Sequence, residues 1–265
     1  MKINGQSAED DSVAQTTRYL IKVSYDGTEY AGWQWQLNST TVQEKIEIAI
    51  KEIFNTSLRI HGCSRTDTGV HAIGMMAHLD LPNRNGKAPM PSEKLPLALN
   101  RALPQDIRIV SSKIVPSSFH ARFAARGKQY RYFIWNDRHA NPHLLKSAWH
   151  FPRPLDLGLM REASKLIKGK RDFRAFANNH TYEIENTVRT LNRCSIRRTG
   201  PLVTIILEGD GFLYKMCRGI TGTLAQVGIK KYKPIEIKKM LESKNRSLTG
   251  MTAPPHGLFL WKVFY

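Results

Sequence analysis

The chain has 265 residues, of which 41% are apolar, and its 40 Lys and Arg against 22 Asp and Glu leave a net charge of +18. This apolar fraction excludes wholesale disorder, and the length suits one large domain or two small ones. The positive charge favours a polyanionic partner, nucleic acid ahead of an anionic membrane surface. No apolar run approaches the ~18 residues that span a bilayer, so we expect no membrane segment.

The N-terminal segment and the cysteines both favour a cytoplasmic protein. Residues 1–17 are polar and acidic, unlike a secretory signal or an organelle presequence, and we expect a disordered tail there. Cys63, Cys194 and Cys217 form no CxxC pair. We therefore expect three small buried side chains in a reducing compartment, without a disulfide framework or a zinc site.

The first half of the chain alternates between strand and helix patterns. Residues 18–25 are rich in β-formers and stop at an Asp-Gly turn. Residues 41–54 carry apolar side chains at helical spacing, and Thr41 and Glu44 have the spacing of a capping box. The other expected elements are strands at 58–63 and 75–81, a polar loop at 64–72, a surface excursion at 82–91, a helix from Ser92 to about 103, and a connecting segment at 107–115.

The second half repeats this order of elements. Its expected strands are 128–135, 188–197, 202–208 and 258–264, and its expected helices are 155–167, 212–227 and 235–242. Helices that separate strands at intervals indicate an α+β fold of two similar halves, each an antiparallel or mixed sheet with helices on one face. The expected domains are 18–116 and 117–265, although no residue-level repeat relates them.

Half of the excess charge lies in about a fifth of the chain. Residues 120–174 hold 13 Lys and Arg against 4 Asp and Glu, and several of these cations adjoin aromatic residues. Cations neutralise phosphates and aromatic rings stack on bases, so the C-terminal domain is expected to carry an RNA-binding surface. The alternative is a solvated surface above core aromatics. The basic helix at 155–167 is the one candidate for membrane binding, but its apolar stripe favours core packing.

The most unusual segment is GCSRTDTGVHA at residues 62–72, in the loop between two expected strands. It holds one carboxylate, Asp67, two residues from Arg65. A neighbouring cation keeps an aspartate ionised, which suits a nucleophile or a base. In the alternative interpretation, Asp67 hydrogen-bonds the loop backbone and Arg65 simply pairs with it.

The residues around this loop disfavour several familiar chemistries. Glycoside hydrolysis usually needs two carboxylates, and a two-metal nuclease needs several. Asp26 and Asp210 lie in Asp-Gly turns, His71 and His78 look isolated, and no nucleotide-binding glycine motif is present. We therefore expect chemistry on a nucleic acid by one carboxylate, with no metal and no nucleotide cofactor.

This loop resembles the catalytic motif of the tRNA pseudouridine synthase A family. The resemblance extends over residues 18–265 and rests on further motifs in matching order: YDG at 25–27, GWQ at 32–34, NRALP at 100–104, FHARF at 119–123, YRY at 130–132, FLYKM at 212–216 and APPHGL at 253–258. It implies a homodimeric enzyme with a deep basic cleft between its two halves. The implied reaction converts uridine to pseudouridine at positions 38, 39 and 40 of the tRNA anticodon stem-loop.

The resemblance also implies roles for four residues. Asp67 matches the family's catalytic aspartate, acting as nucleophile or as the base that opens a glycal route. Tyr130 matches the tyrosine that stacks on uracil and assists proton transfer at C5. Arg65 would hold phosphate or help to move the base. Arg218 matches the residue that pairs with the catalytic carboxylate; Gly219 follows it where relatives commonly carry Asn, which leaves the local helix packing open.

Two other functions stay open at this point. A non-catalytic RNA-binding module on the same scaffold would share the charge and the aromatic residues without needing Asp67. A metal-dependent nuclease would act on RNA but lose its activity to a chelator.

Overall fold

The computed structural model describes residues 15–178 and 186–265. In these ranges the chain has the expected α+β fold, with ten strands and five helices. The strands are β1 (Thr16–Tyr25), β2 (His61–Gly62), β3 (His71–Pro82), β4 (Ile107–Ile114), β5 (Gly127–Trp135), β6 (Trp149–His150), β7 (Gly169–Asp172), β8 (Val188–Thr199), β9 (Leu202–Gly209) and β10 (Leu258–Phe264). The helices are α1 (Val42–Phe54), α2 (Leu95–Ala102), α3 (Leu157–Ile167), α4 (Met216–Gly228) and α5 (Glu236–Ser243).

The strands form one mixed sheet with the main order β4-β1-β3-β10-β5-β9-β8-β7. The two expected sheets are joined at β10, which pairs in parallel with β3 of the first half and antiparallel with β5 of the second. Phe259 lies opposite His71 at this junction, and Leu260 lies opposite Ala72. Joining the sheets gives backbone partners to inner edges that two separate sheets would leave unpaired. The division into domains 18–116 and 117–265 stays a prediction.

The side chains of strand β5 show that the two faces of the sheet differ in burial. Tyr130, Tyr132 and Ile134 are buried, whereas Arg131 and Phe133 between them are half-buried. Successive side chains of a strand point to opposite faces, so one face of β5 lies in the core and the other is partly open. This matches the expected burial of one face under the rest of the fold.

The capping box at the start of α1 is confirmed. The Thr41 hydroxyl accepts from the backbone N–H of Glu44, and the Glu44 carboxylate accepts from the backbone N–H of Thr41. Helix α3 begins two residues later than predicted because Asp156 caps it, accepting from the N–H of Leu159. In both helices a side chain satisfies a terminal N–H that has no partner within the helix.

Two expected elements are shorter than their patterns predict. The strand at 58–63 shrinks to β2 because the Ile60 backbone bonds to α1 instead, its N–H donating to Glu47 and its carbonyl accepting from Gln43. The helix expected from residue 212 begins at Met216, since Lys215 has a left-handed backbone with φ of 57°. Residues 212–215 therefore form a loop.

The expected disordered tail is wrong at its end. Strand β1 begins at Thr16, and Thr16 and Thr17 pair with Pro82 and Leu81 of β3. The rest of that prediction, residues 1–14, lies outside the described residues. Cys63, Cys194 and Cys217 are buried, as predicted, and all three are free.

Candidate active site

A cleft of about 1110 Å³ lies where the two halves meet. One wall is the loop between β2 and β3, and the other is formed by β5 and residues 212–217. Three of the predicted site residues, Arg65, Asp67 and Tyr130, line this cleft. The cleft is slightly larger than the ~300–1,000 Å³ typical of small-ligand pockets, so it can admit a nucleotide with part of its backbone.

The loop of residues 63–70, here called the aspartate loop, is held by the two motifs that precede α1. The backbone N–H of Trp33 donates to the Thr66 carbonyl at 3.2 Å, and the hydroxyls of Thr66 and Tyr25 lie 2.8 Å apart. Gly32 permits this contact, because its φ of 92° favours glycine and a Cβ there would collide with the Thr66 carbonyl. The YDG and GWQ motifs therefore support the backbone of the loop that carries Asp67.

Asp67 forms an ion pair with Arg218 of α4. The Arg218 Nη1 lies 3.0 Å from Asp67 Oδ2, and the Arg218 Nε donates to the Ala253 carbonyl at 2.8 Å. The Asp67 side chain is only 21% exposed, and the Arg218 side chain only 12%. Two-point anchoring of the guanidinium orients the carboxylate, and no described group bonds Asp67 Oδ1, which leaves that oxygen available to a substrate.

Arg65 does not pair with Asp67, so the alternative interpretation based on those two residues is wrong. Its side chain is exposed in the cleft, and no hydrogen bond or ion pair to it occurs within residues 15–178 and 186–265. Its neighbour Thr66 is buried and bonds to Tyr25. The aspartate loop thus presents a free cation beside a carboxylate that is paired elsewhere.

Tyr130 projects from β5 into the cleft and is 5% exposed. Its hydroxyl lies 3.1 Å from the Ser64 hydroxyl, and its ring meets Phe212 edge-on at 5.0 Å. Burial raises the pKa of the phenol well above its usual value, while the Ser64 hydrogen bond lowers it slightly. The phenol is therefore neutral at pH 7, with its ring fixed by an aromatic contact and its hydroxyl tied to the aspartate loop.

Three contributors to the site are absent from the sequence-based prediction. Ser64 and Thr66 bond to Tyr130 and Tyr25, and Phe212 supports the Tyr130 ring. The available signal was motif membership, since Ser64 and Thr66 lie in the aspartate loop and Phe212 begins FLYKM. Ser64 lies 66 positions from its partner in the chain, Thr66 lies 41 and Phe212 lies 82, so spacing could not reveal these pairings.

The expectation that His78 is isolated is wrong. Its ring stacks on His61 at 4.9 Å and meets His120 edge-on at 4.6 Å. Burial lowers the pKa of His78 to about 4, and its Nδ1 accepts from the Ala121 N–H, so the ring is neutral at pH 7. Within the described ranges, no group of three or more His, Cys, Asp or Glu residues is arranged to hold a metal ion.

Glycines bring α4 close enough to present Arg218. A Cβ on Gly219 would collide with the Phe176 carbonyl, and one on Gly222 would collide with the Met251 carbonyl. The Ala253 N–H also donates to the Arg218 carbonyl, at 3.1 Å. Gly219 therefore allows close packing here, which answers the question raised by its departure from the family pattern.

We predict that Gly219→Ala lowers the free energy of unfolding by about 1–3 kcal/mol, because the backbone of Phe176 must move. Thermal melting should show a Tm decrease of roughly 2–4 °C per kcal/mol. Gly158→Ala in α3 is the matched control, since its Cβ would meet only the Asp156 side chain and Ala favours helix. Equal melting of both variants would contradict the packing role.

Comparison with known proteins identifies the family. The family model for tRNA pseudouridine synthase matches residues 21–124 and 163–265. The chain belongs to the tRNA pseudouridine synthase family. A protein named tRNA pseudouridine synthase A from Thermoanaerobacter sp. (strain X514) is 42% identical over 246 residues, which cover 93% of this chain and 98% of that protein. The protein of the same name from Bacillus subtilis (strain 168) is 41% identical over 250 residues, covering 94% and 99%.

A less similar relative is also matched over most of its length. The tRNA pseudouridine synthase A of Methylacidiphilum infernorum is 39% identical over 247 residues, or 93% of this chain and 95% of that protein. The family match includes the aspartate loop, Tyr130's cleft partner Phe212, and Arg218, but not Tyr130 itself. In the described ranges, no helix of this synthase-family chain is long and apolar enough to cross a membrane.

Proposed function

We propose that this protein converts uridine to pseudouridine in tRNA, at positions 38, 39 and 40 of the anticodon stem-loop. The observation that carries the proposal is the ion pair of Arg218 with Asp67, which lines the same cleft as Tyr130. Family membership supports the reaction type, and the names of the relatives support tRNA as the substrate. The three positions rest on the resemblance alone.

In the proposed reaction the N1–C1′ bond of uridine breaks, the base turns, C5 bonds to the same sugar carbon and loses its proton, and N1 gains a proton. Asp67 acts either as the nucleophile at C1′ or as the base that opens a glycal route. Its Oδ1, which no described group bonds, is the oxygen that acts in either case. The reaction consumes no nucleotide and transfers no electrons to an acceptor, so the proposal includes no cofactor.

The target base must leave its stack to reach Asp67, which costs a few kcal/mol. Tyr130 compensates by receiving the uracil, since its ring is already fixed against Phe212. Arg65 is exposed at the cleft and is suited to hold a phosphate or to help move the base. Arg218 does not need to touch the substrate, because its role is to orient Asp67.

We expect Tyr130→Phe to bind tRNA as the parent does but to form pseudouridine about 10²- to 10⁴-fold more slowly, since it keeps the ring and loses the proton carrier. Single-turnover rates and binding titrations measure the two effects separately. Phe212→Leu is the companion variant, which disturbs the Tyr130 ring and leaves its hydroxyl. Unchanged turnover in Tyr130→Phe would remove the phenol from the proton-transfer step.

Affinity for tRNA should fall steeply with salt, because Lys and Arg side chains that neutralise phosphates release counterions. We expect a linear plot of log affinity against log salt, with a slope of about −0.7 to −0.9 per phosphate contact. Fluorescence anisotropy with labelled tRNA between low and physiological salt provides the measurement. A flat response would contradict phosphate-dominated binding.

The two alternative functions have distinct outcomes. A non-catalytic RNA-binding module would leave unmodified tRNA unchanged, which mass-spectrometric mapping of pseudouridine detects. A metal-dependent nuclease would cleave the RNA and stop in the presence of a chelator. Formation of pseudouridine that resists a chelator supports the proposed function over both.

We further propose that the protein is a cytoplasmic homodimer in which one tRNA contacts both subunits. The proposal rests on the resemblance, and the net charge of +18 is consistent with a large tRNA footprint. Light scattering on the purified protein, with and without tRNA, measures both the subunit number and the stoichiometry. A monomeric mass in the tRNA complex would contradict it.

A further inference from the structure

The cleft contains a cation that the proposed chemistry does not use. Lys128 lies on β5 two residues before Tyr130, on the same face of the strand, and lines the same cleft. Its side chain is half-buried. Within the described ranges, its ammonium has no hydrogen-bond acceptor and no carboxylate partner.

The surroundings of Lys128 are unusual for a half-buried cation. Burial is the largest influence and lowers the pKa of Lys128; the Cys63 thiol raises it, and the nearby cations Arg122 and Arg189 lower it. Among the described residues, no carboxylate contributes to this balance. A half-buried charge without a partner costs free energy unless something supplies the opposite charge.

The neighbours therefore indicate what the missing partner is. Arg122 also lines the cleft and is exposed, so two cations face the same space from β5 and from the FHARF motif. Two neighbouring cations that pair with no carboxylate among the described residues suit a phosphate, which is the charged group of every nucleotide. A metal cation is disfavoured by the same charges.

We propose that Lys128 binds a phosphate that directly flanks the target uridine, with Arg122 beside it. The distance along the strand supports this assignment, because residues two apart on β5 are about 7 Å apart, within the span of one nucleotide. A uracil stacked on Tyr130 would therefore carry its own backbone phosphate toward Lys128. The assignment rests on the proposed function for the identity of the RNA.

In this role Lys128 is a positioning residue. It contacts the backbone before and during the reaction, so its loss weakens binding without slowing the chemical step. We expect Lys128→Met to raise KM for the anticodon stem-loop about 10- to 100-fold at nearly unchanged kcat, as for loss of a charged hydrogen bond. Lys128→Arg keeps the charge and should retain most of the affinity.

The decisive experiment pairs the protein variant with a neutralised phosphate. Anticodon stem-loops are made with a single methylphosphonate on either side of the target uridine, and their affinities are measured by anisotropy. The parent should bind one of them about 10- to 100-fold more weakly than the unmodified RNA. Lys128→Met should bind that RNA and the unmodified RNA equally, because the partner charge is already gone.

Two controls separate this site from general electrostatics and from misfolding. Lys239→Met removes one exposed charge of α5 outside the cleft and should keep the parent's discrimination. Thermal melting of Lys128→Met reports its folding, and Lys128→Gln replaces it if the methionine variant does not fold. A merely structural role of Lys128 would weaken both RNAs and leave the discrimination intact.

The outcomes distinguish this inference from the proposed function. If Lys128→Met still discriminates against the neutralised RNA, or if the parent never does, the phosphate assignment is overturned. If the discrimination depends on Lys128 but the parent forms no pseudouridine by mass spectrometry, the binding site stands and the proposed function fails.

Discussion

Asp67→Asn should abolish pseudouridine formation, with the rate falling by at least about 10⁴-fold, as for loss of the acting group of an enzyme. The amide has nearly the same shape, but it can neither attack the sugar carbon nor accept a proton. Both routes open to Asp67 need the carboxylate, so both predict the same loss. Mass-spectrometric mapping of tRNA treated with each purified protein measures it.

The Asp67→Asn variant also separates binding from catalysis. The cations of the cleft are untouched, so its affinity for tRNA should stay within a few-fold of the parent's value. Asp137→Asn is a suitable control, because Asp137 lies after β5, outside the cleft, and accepts from the backbone N–H of His139. Equal pseudouridine yields from Asp67→Asn and the parent would reject the catalytic assignment.

Arg218→Met should produce the second largest loss, about 100-fold in kcat/KM, because a misplaced reacting group costs rates of that order. The variant removes both anchors, the contact of Nη1 with Asp67 and that of Nε with the Ala253 carbonyl. It also leaves a carboxylate of low exposure without a partner, which lowers stability. Single-turnover rates and melting curves measure the two effects.

Arg218→Lys tests whether charge alone is enough. A lysine supplies one compact charge and cannot hold Asp67 and the Ala253 carbonyl with a planar fork, so we expect it to recover only part of the lost activity. Full activity in Arg218→Met would show that Asp67 needs no orienting partner. Full activity in Arg218→Lys would show that the second anchor, to Ala253, is unnecessary.

Local patterns along the chain predicted most elements well. Strand β10 has the predicted bounds, and the capping box at Thr41 starts α1 as expected. Both depend on neighbouring residues alone: alternation along a strand, or a side chain four residues or fewer from its backbone partner. The three cysteines follow the same logic, since small apolar side chains without paired spacing are usually buried.

The errors arise where a distant group competes with the local pattern. Residues 58–60 have a strand pattern, but the backbone of Ile60 bonds to Gln43 and Glu47 of α1. The apolar stripe at 212–227 predicts a helix that starts four residues before α4. Residues 212–215 instead form part of a cleft wall. The pattern of apolar residues within either segment carries no information about groups so far away in the chain.

Composition and local patterns predicted the α+β class and the basic charge, and the resemblance pointed to the four residues to inspect. The folded structure shows that the two halves share one sheet, that Asp67 pairs with Arg218 and not with Arg65, and that Lys128 has no hydrogen-bond or ion-pair partner among the described residues. The reason is that these contacts join residues far apart in the chain. Hydrogen bonds, ion pairs and burial depend on distance in space, and Asp67 and Arg218 are separated by 151 positions in the chain but by 3.0 Å in the fold.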